Sequence, residues 1–188
     1  MITCLKDITN IFYINLEHRV DRKEHVESQL ESIGLKGTRF NAIKMENGAI
    51  GCSMSHLKLL QLALKSGLDH ILIVEDDILF LDPELFRSQL DLFFQNPKSW
   101  DVILFAGNNM PPYEKIDDTC VKVSQCQTTT GYLVHEKDVA KAMNLLYNNR
   151  EYYNELSEKT YKKFTSPAYS WQEITKVWYN LFMEVLTR

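Results

Sequence analysis

Short apolar runs alternate along this chain with segments of helical period, and no other feature constrains the fold as much. Ile11 to Leu16 (IFYINL) is a near-continuous run of β-branched, aromatic and apolar residues, the pattern of a strand covered on both faces. From Asp21 to Ile33 the period changes. Val26, Leu30 and Ile33 recur among charges at helical spacing, and Gly34 stands where a helix ends. Arg39 to Ile43 reads as a second strand, and from about Ser53 to Lys65 the set Leu57, Leu60 and Leu64 marks a second helix closed by Gly67. His70 to Val74 (HILIV) is a third strand. Asp82-Pro83-Glu84 then supplies an N-cap, a first-turn proline and an acid that suits the helix dipole, opening a helix with Leu85, Phe86, Leu90, Phe93 and Phe94. Val102 to Ala106 is a fourth strand, Val121 to Val123 and Tyr132 to Val134 are weaker ones, and Lys137 to Leu146 has helical spacing. This order predicts an α/β domain with a mostly parallel central sheet flanked by helices, and ligands at the carboxyl ends of its strands.

The chain's 188 residues suffice for one core, and no repeat, low-complexity tract or proline-rich linker divides them, so a single domain over 1–188 is expected. With 21 Lys and Arg against 25 Asp and Glu, a nucleic-acid partner is not expected, because neutralising phosphates takes a clustered basic excess. The longest apolar runs fall far short of the roughly 18 residues of a membrane span. The first ten residues carry no apolar stretch of the secretory kind, so a cytoplasmic location is expected. Cys4, Cys52, Cys120 and Cys126, which show no C-x-x-C spacing, are then expected as thiols, with Cys52 a small packing residue.

The sharpest chemical feature is the acidic triplet Glu75-Asp76-Asp77 at the end of HILIV. Adjacent carboxylates repel unless something positive lies among them. Oxygen donors suit Mg2+ or Mn2+, which usually share their remaining positions with phosphates and water. Along an extended chain Glu75 and Asp77 face one side and Asp76 the other, so a metal would see two of the three. A solvated acidic turn explains the triplet equally well. Phosphatases of the haloacid-dehalogenase type need a nucleophilic Asp where this chain has Glu75. Phosphate receivers place their acidic pair near the N-terminus and their acceptor Asp at a later strand end, whereas Asp117 and Asp118 here follow PPYEKI. A nucleotide-sugar transferase, whose carboxylates bridge a metal to a diphosphate, meets no contradiction.

The ordered set of segments resembles glycosyltransferase family 25. Ile14-Asn15-Leu16 with Arg19, Asp21 and Arg22 is similar to that family's opening segment, and Phe40-Asn41-Ala42-Ile43 to its next strand. Gly48-Ala49-Ile50-Gly51-Cys52-Ser53-Met54-Ser55-His56 resembles its GEIGCxxSH block, Ile73-Val74-Glu75-Asp76-Asp77 its EDD block, and Thr130-Gly131-Tyr132-Leu133-Val134 its late G-A-Y strand. The match runs over roughly 11–147. The resemblance implies a GT-A-like, Rossmann-like fold, a UDP-sugar donor, a hydroxyl acceptor on a glycan, lipopolysaccharide or hydroxylysine, Mn2+ or Mg2+ at Glu75, Asp76 and Asp77, and transfer with inversion. Donor contacts are then expected from Asn15, Arg19, Arg22, Asn41, Ala42, Ser55, His56, Thr130 and Gly131. Arg19 and Arg22 would balance a diphosphate or simply open a helix, and Ser53 or Ser55 would cap the next one. Galactose is the first expectation for the sugar. A noncatalytic nucleotide-sugar or glycan-binding module is the alternative.

An inverting transfer needs a general base. The family's P-V-D context has no counterpart here, and Glu173, in Pro167-Ala168-Tyr169-Ser170-Trp171-Gln172-Glu173, is the candidate. Ser170 and Glu173 also form a capping box, which explains both residues without catalysis. The C-terminal aromatics Tyr152, Tyr153, Tyr169, Trp171, Trp178 and Tyr179 suit either a core or stacking on an acceptor sugar.

Overall fold

In a computed structural model, which describes residues 2–96, 99–135 and 138, the first apolar run is a strand, Ile11–Asn15 (β1). All described residues belong to the unit Met1–Met143. The expected helix over 137–146, the C-terminal aromatics and Glu173 lie outside them. Helix α1, Val20–Ser32, ends as the sequence requires: Ile33 is its C-cap and Gly34 follows at φ +77°, a left-handed turn that glycine takes without strain. Strand β2 is Thr38–Asn41, two residues shorter at its end than expected. Helix α2, Gly48–Lys65, stops before Gly67 at φ +61°. Strand β3, His70–Glu75, and helix α3, Pro83–Gln95, follow, with the Asp82 carboxylate accepting the Leu85 N–H at 2.9 Å as the N-cap.

Two expectations are corrected. Helix α2 begins five residues before Ser53, because the Asn47 side chain caps it by accepting from the N–H groups of Ala49 and Ile50. Neither serine is the cap: Ser53 Oγ donates to the Ala49 carbonyl and Ser55 Oγ to that of Gly51. The late strands are also far longer than their apolar segments. Strands β4, Val102–Lys115, and β5, Val121–His135, form one antiparallel hairpin, so PPYEKI belongs largely to a strand. Proline survives there because β4 is last in the strand order, where a missing N–H leaves no ladder partner wanting. At the turn Asp117 Oδ1 accepts the N–H groups of Thr119 and Cys120.

The sheet runs β2-β1-β3-β5-β4. β1 is parallel to both β2 and β3, while β5 is antiparallel to β3 and to β4, so four of the five strands point one way. This is the mixed, mostly parallel α/β sheet of a GT-A-like, Rossmann-type domain. Strand alternation divides the core. Ile11, Tyr13, Leu72 and Val74 pack on one face with Val26, Leu30 and Ile33 of α1 and Leu90 and Phe93 of α3. Ile14, Ile71 and Ile73, on the opposite parity, are buried on the side of α2, whose Leu59, Leu60 and Ala63 are likewise buried and which contacts β1 and β3. No helix among the described residues is long and apolar enough to cross a membrane.

One glycine fixes how close α2 comes to the β2 end. A Cβ on Gly51 would lie 2.5 Å from the backbone oxygen of Ile43, whereas one on Gly48 meets nothing within 4 Å. Gly51→Ala is therefore expected to lose about 1–3 kcal/mol, read as a lower urea midpoint, the size of an overpacking strain. Gly48→Ala should be neutral, or stabilising by up to about 1 kcal/mol through the unfolded chain.

Candidate functional site

The register of the sheet brings the predicted residues to one edge, staggered by a residue on either side of Glu75. Asn15 pairs with Asn41 and Ile14 with Glu75 across the parallel strands, and Val74 pairs with Gly131 across the antiparallel one. Asn15, Asn41 and Glu75 thus end three neighbouring parallel strands, with Ala42 one step beyond, its N–H on the Asn15 carbonyl. Thr130 and Gly131 stand beside them on β5. This edge is where an open α/β sheet takes its ligands.

Alternation sends Asp76 and Glu75 to opposite faces of the sheet. Asp76, only 9% exposed, turns toward α1, where Arg22 Nη1 donates to Oδ1 at 2.9 Å and Asn15 Nδ2 to Oδ2 at 2.9 Å. Asn15 itself is buried and fully engaged. Its amide nitrogen also donates to the Arg19 carbonyl at 3.0 Å, and its Oδ1 accepts from Arg39 Nε at 3.0 Å. Removing a donor from so covered a carboxylate costs about 1–3 kcal/mol. Arg22 reaches Asp77 as well, at 3.5 Å, but Asp77 remains half-exposed. Arg39 Nη2 donates to Asn41 Oδ1 at 3.2 Å, so β1, β2, β3 and α1 are joined by one polar network.

Glu75 turns the other way, toward α2. His56 Nε2 lies 3.4 Å from its Oε1, and the His56 Nδ1 shares a hydrogen bond of 3.0 Å with the Tyr132 hydroxyl. Cys52, one helical turn before His56, completes the group, since its sulfur, the imidazole and the carboxylate all lie within 4.8 Å of one another. Burial and then the charges of Glu75 and Asp77 push the Cys52 thiol up to about 11. Burial and the Glu75 charge likewise raise Tyr132 far above the usual phenol range. Burial is thus the first cause of both shifts, and the Glu75 carboxylate adds to each.

Other predicted residues are placed differently. Ser55 is fully buried, accepting from the Ile43 N–H at 2.8 Å and donating to Gly51, so it ties the β2–α2 connection to the helix. Arg19 grips the neighbouring Asp21 through Nε at 2.9 Å and Nη2 at 2.7 Å, and these bonds hold the Asp21 carboxyl down to about 2. Gly131 is where β5 approaches the strand-end turn: a Cβ there would lie 2.7 Å from the Ile78 side chain and 3.3 Å from that of Val74. Sequence reading missed Arg39 and Tyr132. The signal for Arg39 is its spacing of two from Asn41, which puts both on one face of β2; Tyr132 gave none, because its partner depends on the pairing of β5 with β3.

The sheet is that of a GT-A-like α/β domain, with carboxylates, arginines and a glycine at its carboxyl edge. The model of glycosyltransferase family 25 (LPS biosynthesis protein) matches residues 44–157, more than half of the chain, and the chain belongs to that family. Among curated relatives it is 24% identical to a glycosyltransferase 25 family member of Drosophila melanogaster, over 72% of this chain and 28% of that protein. It is 23% identical to procollagen galactosyltransferase 1 of Danio rerio, over 71% of this chain and 28% of that one. A putative glycosyltransferase of Haemophilus influenzae is 27% identical, over 65% of this chain and 45% of its own. The chain therefore spans about a quarter to a half of the length of these relatives.

The burial of Cys52 has a direct consequence. A thiol pushed up to about 11 from an ordinary value near 8.5 holds roughly two hundredfold less thiolate at pH 8. Iodoacetamide labelling of Cys52, followed by mass spectrometry, should accordingly be about two orders of magnitude slower in the folded chain than in urea, and should accelerate as pH rises toward 11. The sign also applies to stability. The proton is held more tightly in the folded state, so this contribution is whole below the unfolded value and is lost as pH rises through the folded one.

Proposed function

We propose that this chain is a glycosyltransferase that moves a hexose, galactose first, from a UDP-sugar to a hydroxyl acceptor on a glycan, lipopolysaccharide or hydroxylysine, with inversion. The observation that carries the reading is that Asn41, Asn15 and Glu75 end three adjacent parallel strands, with Gly131 beside them on β5, at the sheet edge where α/β folds take nucleotides. Asn41, Ala42 and Thr130 are exposed enough at that edge to meet a nucleoside, and Arg22 and Arg19 lie beside it to offset a diphosphate. Asn15 and Asp76 act by holding Arg22 and Arg39 in place. Ser55 serves by fixing the connection that carries Ala42, and His56 by lying against Glu75.

The carboxylates fit a divalent cation. Asp76 is committed to Arg22 and Asn15, which leaves the partly exposed Glu75 and Asp77 as ligands, the one or two carboxylates that Mg2+ or Mn2+ ordinarily takes from a protein. Such an ion supplies Lewis acidity toward the leaving diphosphate. Glu173 is the group to which we assign removal of the acceptor proton.

A panel of UDP, UDP-galactose, UDP-glucose and UDP-N-acetylglucosamine, each with Mn2+ or chelator, tests the donor reading by thermal shift. A ligand at 100 times its dissociation constant adds about 2.7 kcal/mol, so one of the four should raise the melting temperature only with metal present. Asp77→Ala should erase that rise; an undiminished shift would refute the carboxylate metal site. Glu173→Gln should bind donor normally and transfer sugar about a hundredfold or more slower, the usual weight of a general base, as a radiolabel assay would read. Because the chain spans 28% of the fly relative, binding of donor without transfer is the second reading. Turnover by the chain alone excludes it.

A further inference from the structure

Cys52 and His56 are four residues apart on α2 and share one face of it, and the alternation of β3 turns Glu75 toward them. The distance from His56 Nε2 to Glu75 Oε1 is 3.4 Å. Two metal bonds of about 2.0–2.1 Å meeting at the tetrahedral angle hold their N and O ends roughly 3.3 Å apart, and a thiolate bond of about 2.3 Å makes a sulfur–nitrogen edge of roughly 3.6 Å. The three donor atoms here lie within 4.8 Å of one another, so closing on an ion asks about an ångström of side-chain movement. None of the three is fully buried, which leaves a way in. The tautomer of His56 that carries its ring proton on Nδ1 would donate it to the Tyr132 oxygen and present the Nε2 lone pair on the Glu75 side.

We propose that Cys52, His56 and Glu75 form a three-ligand site for a borderline divalent cation of the zinc class, with a fourth position open and Tyr132 as the outer partner that orients the imidazole. The donor set selects the ion. Thiolate and imidazole favour zinc and cobalt over Mg2+ and Mn2+, which seek oxygen. The charge of Asp77 nearby adds to the attraction for a cation without supplying a sulfur or nitrogen. The site shares Glu75 with the carboxylate pair proposed above, yet it does not depend on sugar transfer, since its chemistry needs no nucleotide.

Cobalt(II) titrated into the full, reduced, chelator-stripped chain is the test, because cobalt takes zinc's ligands and reports them in its absorption. One equivalent should produce the near-ultraviolet sulfur-to-cobalt charge-transfer band and the strong visible bands of four-coordinate cobalt, and zinc should discharge both. Cys52→Ser should lose the charge-transfer band, and Tyr132→Phe should keep it while weakening affinity ten- to a hundredfold, as loss of an outer partner does. Asp77→Ala should leave the band in place even where it abolishes manganese-dependent donor binding, so the two readings fail separately. Absence of the band in the native chain, or its persistence in the Cys52→Ser chain, overturns the proposal.

Discussion

The Asp76 carboxylate, 9% exposed and bonded at 2.9 Å to both Arg22 and Asn15, is the joint on which the polar edge of this sheet depends. A charge so covered persists only with donors on both oxygens. Those donors come from β1 and α1, and Asn15 passes the constraint on to Arg39 of β2. One aspartate thus fixes the positions of two arginines that belong to different elements. Its neighbours in the triplet are free of that duty. Glu75, turned toward α2, and Asp77, which shares Arg22 with Asp76 at 3.5 Å, keep partial exposure while Asp76 takes the shorter bonds of the strand end.

The two faces of the sheet therefore carry different chemistry at the same edge. On the α1 side, positive guanidinium groups answer carboxylates. On the α2 side, a thiol, an imidazole and a phenol surround a carboxylate, and burial first, with the Glu75 charge added, raises Cys52 and Tyr132. The asymmetry arises from the pleat of β3, which no change short of a register slip would alter. Gly51 and Ser55 keep α2 at the distance this requires, the first by having no Cβ against the Ile43 carbonyl, the second by bonding the Ile43 N–H.

Local signals in the chain make β1, β3, α1 and α3 legible, because their periods, the Gly34 stop and the Asp82-Pro83 start are all encoded within a few residues. Helix α2 is misread at its start. Gly48 and Gly51 look like a loop, and the cap Asn47 outweighs them. The hairpin is misread because its polar, proline-bearing strands draw their order from each other across the ladder, a nonlocal gain that periodicity does not carry. For the site, residue types and the opposite facing of Asp76 are readable from the acidic triplet. Which groups meet them is not, since Tyr132 and Arg39 arrive through strand pairing. The same holds for Ser55, whose sequence context suggests a ligand contact and whose burial commits it to the fold.

The hairpin has a further property. Beyond Gly131 the described parts of β4 and β5 pair only with each other, and the ladder shifts register at Leu104/Ala106, Ala106/Gly107, Gly107/Asn109 and Met110/Tyr113. Each shift displaces the pairing that follows it until another cancels it, so Leu104 with Tyr132 and Tyr113 with Val123 stand on the same register. The mismatch is therefore confined between two regular ladders, while Gly131 keeps its pairing with Val74 on the β3 side. The ribbon concentrates its extra twist and bend between Leu104 and Tyr113 and leaves the ladder to β3 regular.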